Sequence, residues 1–324
     1  MTSTRDFTKH PVFRALDPAG KNFMEARRLS SVLNPFADAG LPMHALIPFG
    51  PFPHIKTIAA VGMMVQDHLD GHYEGKHTIV VDSSGNTAHA VARLAPAFGF
   101  ADIKVILAAD VPESKKSILN ALSTVEIIEI PKGRSVAARA REEGAKEGHY
   151  HLDQYKHLGN MMAHHDFTAP EIKRVLGTNI GVIAIAMGSG GTAAGIGRYF
   201  KSWNPKPLII GVRPKLGDQV PGARDEARMR EVVTLPWQDY VDYVVDVPRK
   251  EAFVAMRRLW REVEPIPGPT SGLAYAGLLN WIRSTDFPLG FLQLEGAQLA
   301  FICPDDGRFY TERTTGELDP DQGV

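Results

Sequence analysis

Residues Val182–Phe200 read VIAIAMGSGGTAAGIGRYF: an apolar run, then three glycines with two small hydroxylic residues, then a second run of helix-forming residues. The order is strand, glycine loop, helix. Gly188, Ser189, Gly190, Gly191 and Thr192 let the backbone turn sharply and leave N–H groups pointing outward at a helix N-terminus, which is an anion cradle. A dinucleotide fingerprint needs a third glycine where Ala193 stands, and a nucleotide-triphosphate loop needs a lysine where Ile196 stands. The stretch therefore predicts a phosphate site whose charge is met by backbone and hydroxyl groups. A tight turn that binds nothing is the plain alternative.

Outward from this stretch, β and α signals alternate. Strands are predicted at Thr78–Asp82, Ile103–Leu107, Val125–Ile130, Val182–Met187, Leu208–Val212, Tyr243–Val247 and Leu299–Ile302, each short, apolar and rich in β-branched residues. Helix-length segments separate them, among them Ala88–Phe98, Ser135–Glu147 and Lys250–Val263. This is the pattern of βαβ units with buried parallel strands. Met1–Pro42 reads as connecting or peripheral structure. Prolines between Pro42 and Pro53 forbid a helix until His54, after which a helical pattern runs to Leu69 and sets Lys56 in its first turn. The segment Gly148–His165 is the least structured and marks a junction, which divides the chain into domains at 1–160 and 161–324, with an early segment able to cross to the other domain.

At 324 residues, 44% apolar and 23% charged, the chain is long enough for two α/β domains and can bury sizeable cores. The 36 lysines and arginines nearly balance 37 aspartates and glutamates, so no charge excess points to nucleic acid or an anionic membrane. A small molecule is the expected partner. Cys303 is the single cysteine and excludes an intrachain disulfide. No signal-peptide core and no run of about 18 apolar residues is present, so a soluble, cytoplasmic protein is expected. His149, His151, His157, His164 and His165 crowd the junction, but neither an HExxH helix nor a cysteine accompanies them, and hydrogen-bonding roles are expected rather than a metal site. The charge run Ala223–Glu231 reads as a solvated helix face.

Three features fall at strand ends or helix starts, where ligands collect in open parallel sheets: Lys56 after a proline-rich loop, SSGNT at Ser83–Thr87, and GSGGT. A lysine near a helix N-terminus feels a positive dipole and partial burial, both favouring the neutral amine that serves as Schiff-base nucleophile or proton shuttle. Taken singly, each has an ordinary reading as a surface lysine or a helix cap.

Taken in order, these segments resemble the cysteine synthase and cystathionine β-synthase family of pyridoxal-phosphate enzymes, fold type II. HIKTIAA occupies the place of the family's SVKDRIA, SSGNTAHAVA resembles TSGNTGIALA, and LDQYKHLGNMMAHHDFTAPEI is similar to the family's QY segment. MGSGGTAAG matches the cofactor phosphate loop, GPTSGLAYA stands in place of GxSSGAA, and FICPDDGRFYT resembles the C-terminal strand and turn. The resemblance runs from about Leu46 to Thr311. It implies two open, twisted, mostly parallel sheets flanked by helices, pyridoxal 5'-phosphate as cofactor, and a homodimer. It further implies that Lys56 carries the cofactor and acts as base at Cα, that Asn86 meets the ring hydroxyl, and that Gly188, Ser189, Gly190, Gly191 and Thr192 hold the phosphate. Thr270 would face the pyridine nitrogen, and Ser83, Ser84, Thr87 and Gln154 the substrate carboxylate. A hydroxyl at the ring nitrogen is expected to bias the chemistry toward β-elimination.

The departures concern the mouth of the site. GPFPH at Gly50–His54 replaces the family's NPGGS, Thr57 and Ile58 stand where aspartate and arginine are usual, and Ala88 replaces a glycine. Phe52 and His54 bring bulk and an imidazole to a place that is normally small, and His54 is expected to act on the second substrate, with a helix-capping or solvent-facing imidazole as the plain alternative. The activity implied is β-replacement on an activated serine through an aminoacrylate, with sulfide, a thiol or another nucleophile adding. Elimination, as in dehydratases, or racemisation on serine- or threonine-like amino acids is the alternative with the same cofactor. A non-catalytic binding protein is opposed by the retention of Lys56, Asn86, Thr270 and the phosphate loop.

Overall fold

A computed structural model describes residues 9–16, 24–48, 54–83, 85–111, 113–122, 124–284 and 296–310. The chain divides into two compact units, Met1–Gly20 with Lys56–Ala163 and Lys21–Ile55 with His164–Val324. After helix α1 (Pro11–Leu16) come two strands, β1 (Glu25–Arg28) and β2 (Met43–Ile47), which pair antiparallel. Both belong to the second unit: β1, at the sheet edge, falls within the stretch that reads as peripheral, and β2 is an inner strand just beyond it. The reason lies in MHALI: Met43, Ala45, Leu46 and Ile47 are buried, and Pro42 and Pro48 flank the strand where a missing N–H does no harm.

The first unit continues with α2 (Lys56–Leu69), β3 (Thr78–Val81), α3 (Asn86–Leu94), β4 (Asp102–Ala108), α4 (Glu113–Asn120), β5 (Val125–Ile130), α5 (Val136–Gly144), β6 (His149–His151) and α6 (Leu158–Ala163). Its sheet runs β5-β4-β3-β6, parallel at every pair. Strand β3, TIVV, is buried along its whole length, as expected where helices cover both faces. Strand β6 and helix α6 lie within 148–165, the segment that reads as least structured. The polar HYH of β6 hides the strand signal because it pairs on one side only, at the sheet edge. Helix α2 buries most of its surface and crosses α6 at glycines. A Cβ on Gly62 would stand 2.4 Å from Ala163 Cβ, and one on Gly159 would stand 2.9 Å from the Gly62 carbonyl oxygen.

The second unit takes up α7 (Ala169–Leu176), β7 (Ile180–Ala186), α8 (Gly191–Phe200), β8 (Leu208–Pro214), α9 (Glu226–Val232), β9 (Tyr243–Val247), α10 (Arg249–Leu259), α11 (Pro269–Arg283) and β10 (Gln298–Ile302). Its sheet order is β1-β2-β10-β7-β8-β9, parallel except at the β1–β2 pair. The apolar core of this unit gathers Val182 and Ala184 of β7, Leu299 and Phe301 of β10, and the buried flank of α11. Helix α9 contains the alternating charge run, with the Asp225 side chain accepting from the Arg228 N–H at its start. The two sheets, one parallel and one mixed, with helices between successive strands, are the α/β architecture that the alternating pattern predicts.

Candidate active site

In the first unit, β3 ends at Val81 and α3 begins with Asn86 and Thr87. The helix starts two residues earlier than the periodicity of its apolar positions predicts, because Gly85 takes the cap position. That glycine has no side chain to accept from the first N–H groups, which lie at the carboxyl end of a parallel strand. Ser83 Oγ accepts from Gly85 N–H at 3.4 Å. Ser84 lies outside the described residues.

Thr87 and Gln154, both expected to meet a carboxylate, are brought together across 67 positions. The Thr87 hydroxyl donates to Gln154 Oε1 at 2.7 Å, and both residues are buried. With its oxygen taken, the amide of Gln154 presents its two N–H donors elsewhere. Asn160 Nδ2 in turn donates to the Gln154 carbonyl at 2.8 Å.

The loop that carries Gln154 is fixed to α2, the helix that begins with Lys56, through a carboxylate that no sequence motif singles out. Asp67 is 2% exposed and accepts from His157 Nε2 at 2.8 Å, the Tyr150 hydroxyl at 2.7 Å and His72 Nδ1 at 3.0 Å. His157 Nδ1 accepts from Gly159 N–H at 2.9 Å, which sets the imidazole tautomer. Burial alone would raise the Asp67 carboxyl, but the hydrogen bonds from His157, Tyr150 and His72 outweigh it and hold the carboxyl below its usual range. A group with a depressed folded-state pKa stabilises the protein above its unfolded pKa, and that stabilisation fades as pH falls through the lower value. Asp67→Asn is therefore expected to cost about 2 kcal/mol at neutral pH. In urea titrations the gap between variant and parent should close as pH falls below the ordinary carboxylate range. A gap that stays constant with pH would show that Asp67 acts through packing alone.

The other histidines of the junction also have hydrogen-bonding roles. His149 Nδ1 meets the Glu143 carbonyl at 2.9 Å, His151 Nε2 meets Asp82 at 3.3 Å, and His165 Nδ1 meets Asp166 at 2.6 Å. Among the described residues no group of three or more His, Cys, Asp or Glu is placed to hold a metal ion. His164 is fully buried and bonds Thr168 Oγ1 through Nδ1 at 2.9 Å and Thr192 Oγ1 through Nε2 at 3.1 Å.

Thr192 belongs to the glycine loop of the second unit. Strand β7 leads through Met187 into Gly188, where a Cβ would stand 2.4 Å from the Gly222 carbonyl oxygen. Gly190 has φ +77°, and a Cβ there would stand 3.0 Å from Trp237. A left-handed backbone in a tight space is a position for glycine. Helix α8 starts at Gly191 with Gly190 as its cap, a residue with no side chain of its own to accept from the first N–H groups. Ser189 Oγ accepts from Gly191 N–H at 3.4 Å, and Ala194 N–H is taken by the Gly190 carbonyl at 2.9 Å. The N–H groups of Thr192 and Ala193 are those a helix leaves without an intrahelical acceptor. Neutral donors around a space kept open by glycine fit a phosphate monoester.

Thr270 sits in the first turn of α11, 3% exposed, and a Cβ on Gly222 would lie 3.3 Å from its methyl group. Gly222 thus touches both the glycine loop and Thr270. The Thr270 hydroxyl donates to Asp305 Oδ1 at 3.1 Å, and the Tyr310 hydroxyl donates to Asp305 Oδ2. Sequence reasoning misses Asp305 and Tyr310 as site residues. They lie in PDDGRFY, which reads in the sequence as a strand and turn, and 35 positions separate Asp305 from Thr270. Next to them Cys303 is fully buried. Burial pushes its thiol up to about 12, and the charge of Asp305 acts in the same direction.

Lys56 is half-buried as the first residue of α2. His54, read as an imidazole at the entrance, is 1% exposed, and its backbone makes an antiparallel bridge to Asp305. A solvent-facing His54 is thereby excluded. Gly50–Pro53, including Phe52, lie outside the described residues. No helix among the described residues is long and apolar enough to cross a membrane.

Comparison with known proteins supplies the wider frame. A profile of the family described as "Pyridoxal-phosphate dependent enzyme" matches residues 51–290. Cysteine synthase B of Pseudomonas aeruginosa is 31% identical over 276 residues, 83% of this chain and 87% of that protein. Among solved structures, the cysteine synthase of Entamoeba histolytica superposes with a TM-score of 0.79 at 20% identity, covering 100% of this chain and 95% of that one. An O-acetylserine dependent cystathionine beta-synthase from Helicobacter pylori gives 0.76 at 23% identity, covering 91% and 96%.

Proposed function

Because the chain belongs to the family of pyridoxal-phosphate dependent enzymes, within its cysteine synthase and cystathionine β-synthase group, we propose that it catalyses β-replacement on an activated serine. A nucleophile such as sulfide or a thiol would take the place of the β-substituent. The hydrogen bond from Thr87 to Gln154 carries the amino-acid half of this reading, since it leaves the amide N–H groups of Gln154 to meet a carboxylate beside a glycine-capped helix N-terminus.

Pyridoxal phosphate supplies an electron sink for the pair released when a substrate Cα loses its proton. The residues that would hold it are the loop Gly188–Thr192 at its phosphate, Asn86 at its ring hydroxyl, Thr270 at its ring nitrogen and Lys56 at its aldehyde. As a free amine, Lys56 Nζ would take the Cα proton of the substrate. Ser83, Ser84, Thr87 and Gln154 orient the substrate carboxylate, so that the Cα–H bond is presented to that amine. His54, buried two residues before Lys56, would act on the incoming nucleophile. The cytoplasm as location and a homodimer as assembly belong to the same reading.

The test is a product panel. Purified protein with O-acetylserine or O-phosphoserine and one of sulfide, a small thiol or an amine should yield the matching β-substituted alanine. Pyruvate and ammonia as the sole products would identify an elimination enzyme, and inversion at Cα without loss of the β-substituent would identify a racemase.

A further inference from the structure

A hydroxyl group has one proton to donate. In Thr270 that proton is directed to Asp305 Oδ1, at 3.1 Å, and the Tyr310 hydroxyl occupies the other carboxylate oxygen. Both side chains and the carboxylate are buried: Thr270 is 3% exposed, Asp305 2% and Tyr310 5%. The backbone fixes the carboxylate from several sides. The Asp305 carbonyl accepts from Gly268 N–H at 3.0 Å, the neighbouring Pro304 carbonyl accepts from Ile55 N–H at 2.7 Å, and Asp305 bridges to His54. Gly268 also makes room for it, since a Cβ there would stand 2.5 Å from Oδ1.

What Thr270 can offer to any further partner is therefore its lone pairs. An unprotonated pyridine nitrogen also presents a lone pair, and the two would repel. A protonated ring nitrogen presents N–H and is matched. Resting on the reading that Thr270 faces the ring nitrogen, we propose that Asp305 is a positioning residue: it turns the Thr270 hydroxyl into an acceptor and so holds the cofactor ring in its protonated form. The proton comes from water on binding, and no bond within the protein breaks. The counter-charge to the pyridinium stands one hydroxyl away instead of in direct contact.

This modifies the expectation drawn from Thr270 alone. A lone hydroxyl leaves the ring neutral and a weak electron sink, whereas a hydroxyl backed by a buried carboxylate strengthens the sink. The substrate range that follows includes nucleophiles and amino acids whose turnover needs more negative charge to be tolerated at Cα.

The experiment is nitrogen NMR of the holoprotein at neutral pH, with pyridoxal phosphate labelled with 15N in the ring. The parent protein should give its ring signal in the pyridinium range. Asp305→Asn should move the signal toward the range of unprotonated pyridine while the cofactor stays bound in stoichiometric amount. Gly268→Ala, which displaces Oδ1 without removing the charge, should shift it in the same direction by less. A parent signal in the unprotonated range overturns the proposal, and so does an Asp305→Asn signal equal to that of the parent. Thr270→Val separates the two layers of the argument. If it leaves the signal in place, Thr270 is not at the ring and the underlying placement fails. If it moves the signal and Asp305→Asn does not, the role of Asp305 alone is refuted. Should Asp305→Asn not fold, the parent and Gly268→Ala spectra decide.

Discussion

Alanine at position 56 is expected to leave a folded protein that binds its cofactor without a covalent link and turns over at least about a thousandfold more slowly. On the role proposed for Lys56, removing the group that transfers the proton is worth roughly 10²–10⁴ in rate, and loss of the proposed covalent attachment adds to this. The fold should survive, since Lys56 opens α2 and alanine has the higher helix propensity. Borohydride reduction followed by denaturation and mass analysis of peptides reads the attachment directly. Parent protein should retain the cofactor on the peptide carrying Lys56, and the variant on none. Attachment that persists in Lys56→Ala would move the role to another lysine. Lys104 is a poor candidate, because hydrogen bonding to Glu143 at 2.9 Å raises its pKa and keeps its amine charged.

The second large effect is expected at Gly190. Valine there must adopt φ +77° and place its Cβ against Trp237 at about van der Waals overlap, so the loop that aims the N–H groups of α8 cannot keep its form. Losing one phosphate contact of the charge-assisted kind costs about 1.5–3 kcal/mol, which corresponds to a drop in cofactor affinity of about 10- to 100-fold. Gly177→Val is the matched control. Gly177 has φ +73° at the end of α7, and a Cβ there would meet no atom within 4 Å, so valine adds backbone strain away from the loop. Its melting temperature should fall while its cofactor affinity stays at the parent value. Equal loss of affinity in both variants would mean that strain anywhere in the unit weakens binding, and the phosphate role of the loop would fall.

Much of the sheet architecture is legible in the sequence because its strands are short runs rich in β-branched and apolar residues, at the edge as well as the centre of the sheets. VEIIEI and YVVDV stand out by their β-branched residues, and they appear in the structure as Val125–Ile130 and Tyr243–Val247, with the bounds read from the sequence. The glycine loop is legible for a related reason, since a left-handed turn before a helix demands glycine. Strands β1, β2 and β6 are not visible in this way. EARR and HYH are polar edge segments, and MHALI is disguised by the prolines around it. The candidate site divides in the same way. Lysine, asparagine and glycine motifs are local and can be read along the chain. Asp67 with His157, and Thr270 with Asp305, are pairs made by folding, 90 and 35 positions apart, and neither partner announces the other.

The place of β10 has a consequence for the order of synthesis. The four strands of the first sheet lie between Thr78 and His151, so that sheet has all its sequence once about half the chain has left the ribosome. The six-stranded sheet does not: β10 is inserted between β2 and β7, and among the described residues it is the last strand made. Until Gln298–Ile302 emerges, β2 and β7 each keep an unpaired apolar edge, and unpaired edges recruit other chains. A nascent or truncated chain that stops before Gln298 therefore carries one finished sheet and one with a slot at its centre, which makes the final residues of the strand a closure step and early termination a route to aggregation.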